Sequence, residues 1–374
     1  MLITASLTLL ALLGSVILTL SGKGSPLATA HLAFAAGIVP LIMAAMIHFV
    51  PVLTRSGDPD RRILAVPHVA QAAGLCIALA MQGILPYAAL YGFALLDAAL
   101  VIILFFWISG RTRRSLGAPH PCARWYVAAL LCFLLALCAL LLQSVWGGQW
   151  RALRLMHLHL NTLGLVGMAA LGTLSVLMPT VLGKPDPDAA SWLRRRLWLT
   201  AGGVLLIAFG AALAWPLAAA GAALLLVAMF GLLGQWSRRF SLLAILNDGA
   251  AAALLVALFG FLGGMFYGVV HGAGLLPAQP AVFAWASGCL LPLVTGALSQ
   301  LLPVWRWPGP QTPARSQMRQ RLTANGRWRA VLFLLAGLCL FDQAWLAGGL
   351  LTVAGMLLFL IDFVQAMRVR RSTR

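Results

Sequence analysis

Seven histidines carry most of the chemistry this sequence offers: His31, His48, His68, His120, His157, His159 and His271. Imidazole is the commonest protein ligand for haem iron and copper, and an ionisable group inside an apolar segment is costly enough to suggest function. His157 and His159 stand in Leu155-Met156-His157-Leu158-His159-Leu160-Asn161. Two apart on a helix, they point about 200° away from one another, so they suit two sites on either side of the helix and not one chelated metal. Asn161, one turn after His157, is spaced to hydrogen-bond its free ring nitrogen. Met43, Met46 and Met156 are soft enough to add Cu(I) ligands, although such residues more often pack. Arg151 and Arg154, one turn from His157, suit carboxylates such as haem propionates, or anchoring at an interface.

The elements that must hold these side chains follow from composition. The chain has 374 residues, 62% of them hydrophobic and 9% charged, with mean hydropathy +0.95. A soluble domain carries about 25% charged residues. That gap excludes an ordinary soluble enzyme, a nucleic-acid-binding domain and a disordered chain. An all-α polytopic protein of the lipid bilayer remains. The net charge of +18 sets 26 Lys and Arg against eight acids, every one of them Asp. A pI near 11.4 would suggest nucleic acid in a soluble protein; here membrane orientation is the better cause. The six cysteines form no CxxC pair, and five lie in apolar runs, where they behave as small hydrophobes and not as disulfides or thiolate ligands. No cationic stretch precedes the first apolar run, so no cleavable signal pattern is expected.

A spanning helix needs ~20 largely apolar residues. Twelve such runs lie near 3–21, 28–53, 63–83, 86–109, 124–146, 152–182, 197–214, 216–235, 245–270, 280–304, 329–342 and 345–366. The seventh and eighth are divided only at Ala214–Pro216, the eleventh and twelfth only around Asp342. The long segment from Arg306 to Arg329 reads as a loop. Of the 26 cations, 23 fall after even-numbered spans or in the C-terminal tail; Lys23, Arg151 and Arg154 fall on the other side. Both termini are therefore expected in the cytoplasm, and the chain in a bacterial inner membrane. His31, His157, His159 and His271 then form an outer group and His48 with His68 an inner pair, while His120 lies in a cytoplasmic loop. His31 and His48, 17 residues apart, are separated by ~25 Å of helix.

An internal repeat organises the spans. Gly164, Gly172, Leu174, Ser175, Leu177 and Pro179 recur 124 residues later as Gly288, Gly296, Leu298, Ser299, Leu301 and Pro303. At an offset of 128 in the other direction stand Ala36, Ala44 and Pro51, and His31 aligns with His159, while Phe283 takes that place in the third copy. Small residues at these positions let helices approach closely in lipid. The expectation is a single membrane domain, 1–374, of three four-helix units at about 1–122, 123–240 and 241–374, with the second, sixth and tenth spans equivalent and each ended by its proline. Asp97, Asp248 and Asp362 are the acids inside spans; three scattered acids do not make a relay across the membrane, and Asp362 is close enough to the C-terminal arginines to face them.

Twelve spans in three arcs, termini inside, and histidines at the outer ends of even spans resemble subunit I of the haem-copper oxidase superfamily, and within it the divergent NnrS-like membrane proteins linked to nitric oxide stress. The resemblance covers nearly the whole chain as architecture. It implies haem b or copper held by His31, His157 and His159, with His271 as a further metal ligand, Arg151 and Arg154 beside a cofactor, and His48 and His68 as the next candidates. The tenth span has no histidine, and the paired histidines that complete the superfamily's copper site are missing. A standard proton-pumping terminal oxidase is therefore not expected. A membrane oxidoreductase acting on nitric oxide, copper or respiratory electrons is, with a diatomic ligand, a redox partner and a homo-oligomeric state left open. The rival readings are a transporter or metal-delivery protein without haem, since repeats also build transporters, and a structural subunit whose histidines pack.

Overall fold

The computed structural model describes residues 1–370. Arg371 and Arg374, counted above in the C-terminal tail, lie outside the described residues. Among those described, twelve helices are long and apolar enough to cross a membrane. They are α1 (Leu2–Leu20), α2 (Pro26–Thr54), α3 (Arg61–Met81), α4 (Ala89–Arg113), α5 (Cys122–Gln143), α6 (Gly147–Val181), α7 (Ala189–Leu213), α8 (Trp215–Arg239), α9 (Gly249–Gly272), α10 (Gln279–Arg306), α11 (Gly326–Phe341, which reaches spanning length, Pro313–Phe341, only together with the short helix before it) and α12 (Trp345–Met367). In lipid a helix satisfies its own backbone polar groups, so apolar runs of this length become helices.

The two weakest divisions are both present. A single residue, Ala214, separates α7 from α8, and Pro216 follows at the second helical position, where its missing N–H costs nothing. The reversal is tight: a Cβ on Gly210 would stand 2.2 Å from the Ala218 nitrogen. Between α11 and α12 the chain turns through Gln343 at φ +62°.

Three expectations change. The segment after α10 is not a plain loop, since Pro313–Thr323 forms an eleven-residue helix capped by Thr312 and leading into α11. α7 begins at Ala189, a turn and more before the apolar run, because Arg194, Arg195 and Arg196 are good helix formers that tolerate an interfacial turn. The repeat prolines do not end their helices: Pro51, Pro179 and Pro303 all sit inside, in the last turn, since a proline removes only its own bond to the preceding turn.

Three even helices widen from α to π geometry part-way along, at Phe34–Ile38 in α2, Leu160–Gly167 in α6 and Ala286–Leu290 in α10. At the sequence offsets of 128 and 124, the stretch 34–38 falls on 162–166 and then on 286–290.

By contacts the chain divides into two compact units. The first is Met1–Thr173 with Ala190–Leu224; the second is Leu174–Ala189 with Leu225–Arg374. In the first, the π stretch of α2 is clamped from both sides. Thr8 on α1 donates to the Gly37 carbonyl at 2.9 Å, and Gln71 on α3 donates to the Ala36 carbonyl at 3.0 Å. Beside it Gly74 presses so closely that a Cβ would stand 2.1 Å from the Ala35 oxygen. In the second unit Gly260 of α9 meets the π stretch of α10 in the same manner, with a Cβ 2.1 Å from the Gly288 oxygen. Thr352 of α12 reaches Ser287 of that stretch at 2.9 Å.

Candidate functional site

His31, His157 and His159, expected at the outer ends of their spans, come from α2 and α6 of the first unit. Ser25 caps α2, accepting from the Ala28 N–H, with Pro26 at the first helical position. This fixes the first turn, and His31 follows on the second. Its Nδ1 lies 2.7 Å from the Leu27 carbonyl. A carbonyl only accepts, so Nδ1 carries the proton and the Nε2 lone pair points away from the helix backbone. His159 repeats the device on α6, with Nδ1 2.8 Å from the Leu155 carbonyl.

His157 is held differently. Its Nδ1 donates across to the Ala136 carbonyl of α5 at 2.9 Å, and Asn161 donates to its Nε2 at 3.3 Å and to its own carbonyl at 2.8 Å. The spacing with Asn161 is the one the sequence suggests. The Ala136 partner is a backbone group on another helix and leaves no mark in the sequence. His157 lies within electrostatic range of His31, which stands on a separate helix of the same unit. Immediately after the histidines in the chain both helices open into their π stretches, which begin at Phe34 and at Leu160. Such single-turn widenings are costly and cluster at functional sites.

The other candidates are placed as follows. Arg154 is exposed with its guanidinium 5.1 Å over the Trp150 ring, the posture of an interfacial anchor, and Arg151 is exposed. His68 has both ring nitrogens engaged, Nδ1 with the Leu64 carbonyl at 3.2 Å and Nε2 with Thr4 at 3.4 Å. His48 packs edge-on against Phe49. His271 belongs to the second unit, where it is exposed and bonds the Leu276 carbonyl at 2.8 Å. Phe283 packs on Trp345. His120 lies outside the spans, accepting from the Cys122 N–H, and burial followed by the nearby Arg194 charge pushes its pKa down. Among the described residues no three of His, Cys, Asp or Glu converge as a metal ion would require.

The acids depart from expectation. Asp248 is not a mid-helix carboxylate. It caps α9, its Oδ1 accepting from the Ala250 and Ala251 N–H groups and its Oδ2 meeting Arg319 at 2.7 Å. Among the described residues, Asp362 pairs with no C-terminal arginine. It pairs at 3.0 Å with Arg329, both side chains fully buried. Arg329 reads as a loop cation in the sequence; it stands instead in the first turn of α11, fully buried, where Asp362 neutralises it.

Comparisons with family models, curated proteins and solved structures return no match to this chain.

Proposed function

We propose that this is a multi-pass inner-membrane haem-binding protein on a haem-copper-oxidase-like scaffold, handling nitric oxide or respiratory electrons through the outer histidines of its first unit. The observation that supports the reading is that His31 and His157, on two helices of one unit, each have Nδ1–H fixed to a backbone carbonyl. This tautomer presents Nε2, the nitrogen by which an imidazole would hold iron, and a carbonyl partner on the other nitrogen orients the ring. His31 is the better prepared ligand, because Asn161 competes with any metal for the Nε2 of His157. Haem, which takes one or two imidazoles, fits this donor set better than a copper ion needing three ligands. Bound haem would supply an iron centre for a diatomic ligand or an electron; the chain's part is to hold the rings neutral and aimed. The π stretches at matching offsets support the three-repeat scaffold, since a costly backbone feature recurs at the aligned place in each copy.

Purified protein is expected to show a Soret band that falls to background in His31→Ala, weakens in His157→Ala and His159→Ala, and persists in His120→Ala. Unchanged haem in all three membrane variants would overturn the site. Copper by metal analysis with no Soret band would support metal delivery, and neither would favour transport or a structural role.

Orientation is tested separately. The cation distribution supports a topology with Arg113 in the cytoplasm and Lys23 outside. Reporter fusions at the two loops are expected to give opposite signals; the same side for both would remove the topology and the outer placement of His31.

A further inference from the structure

Asp97 differs from the other two acids of the spans. It lies in α4, only 3% exposed, and its Oδ1 is buried with no hydrogen-bond partner. Neither of the two salt bridges among the described residues includes it. Asp248 and Asp362, by contrast, each have both oxygens met by donors: Ala250, Ala251 and Arg319 for the first, Asn325 and Arg329 for the second.

The surroundings offer Asp97 no counter-charge. α4 packs against α3, α5 and the inner part of α2. The titratable groups those elements carry are His48 on α2, Arg61, Arg62, His68 and Cys76 on α3, and Cys122, Arg124, Tyr126, Cys132 and Cys138 on α5. Asp97 stands eight residues from the Ala89 end of α4, or ~12 Å along the axis. Arg61, Arg62 and Arg124 occupy the first turns of their helices at the opposite end, about 15 Å or more deeper by helix rise. His68, some 7 Å deeper by the same rise, has its Nε2 taken by Thr4. At the depth of Asp97 only cysteine thiols remain. A carboxylate with a buried oxygen that meets no protein donor, and with no cation at its depth, is strongly disfavoured, and the simplest partner that removes its charge is a proton.

We propose that Asp97 is a membrane-buried proton-binding site: it rests as a neutral carboxylic acid and exchanges that proton with the aqueous phase. The proton sits on a carboxyl oxygen and leaves as the only moving species, so no other reactant is needed. This inference stands apart from the haem reading, since it needs neither His31 nor any cofactor.

The test uses the full chain in native membrane vesicles. A hydrophobic carbodiimide adds the O–H of a protonated carboxyl group across its C=N bond, and the acyl group then shifts from oxygen to nitrogen to leave a stable N-acylurea on the side chain. Peptide mass mapping is expected to find the adduct on Asp97, at least tenfold above Asp248 and Asp362, and none in Asp97→Asn. The infrared band of a protonated carboxyl group is expected in the wild type, absent from Asp97→Asn, and shifted in D2O. Equal labelling of all three acids, or no carboxyl band attributable to Asp97, would overturn the neutral resting state. A band that fails to shift in D2O would overturn exchange. If Asp97→Asn does not accumulate, Asp97→Glu serves instead, with the adduct expected to follow the carboxyl group to the new side chain; a wild type lacking the adduct would again defeat the proposal.

Discussion

Arg329→Met is expected to destabilise the second unit by about 3–5 kcal/mol, the range for breaking a buried ion pair from one side. Arg329 donates to Asp362 Oδ2 at 3.0 Å, to Ser299 at 3.3 Å and to the Leu322 carbonyl at 3.4 Å, and lies 4.8 Å over the Phe359 ring. Asn325 donates to the other Asp362 oxygen at 2.7 Å. The cluster thus ties α10, α11, α12 and the turn before α11 together, and methionine leaves an uncompensated carboxylate inside it. Arg329→Met with Asp362→Leu is expected to recover part of the loss, because no charge is then buried. Asn325 still loses its acceptor, at about 1–3 kcal/mol. Unfolding of the two variants and the wild type in one detergent decides the matter. A single variant as stable as the wild type would show that the pair contributes nothing.

The second large effect concerns glycine and carries opposite signs at different positions. Gly74→Ala and Gly260→Ala are each expected to cost about 1–3 kcal/mol, the usual penalty for overpacking. At both, the new Cβ would lie 2.1 Å from a backbone oxygen of the neighbouring π stretch, Ala35 or Gly288, and neither backbone can retreat without moving its helix. Gly92→Ala, on a helix with nothing within 4 Å of the new Cβ, is expected to gain roughly 0.5–1 kcal/mol from reduced chain entropy and better helix propensity. Thermal midpoints measured side by side check the signs. A stabilising Gly74→Ala would mean that α3 and the π stretch of α2 are not in contact.

The chain's hydropathy by itself determined the twelve helices, because a backbone in lipid must bond within its own segment and each run is long enough to do so. Even the divisions at Ala214 and Asp342 are legible, since Pro216 and the polar Asp342-Gln343 pair mark turns. The histidine spacing likewise placed Asn161 one turn from His157. The rest depended on what lies across from each residue. Arg329 is indistinguishable in sequence from the loop arginines around it, and only the position of Asp362 on α12 makes it an interior residue. Asp248 looks like an acid within a span until the short helix Leu242–Asn247 ends before it and turns it into a cap. The π stretches and the Ala136 partner of His157 are backbone features, set by the close approach of neighbouring helices and carried by no side-chain type. Tertiary structure alone separated Asp97 from the other acids, because a carboxylate's charge is decided by the donors that reach it.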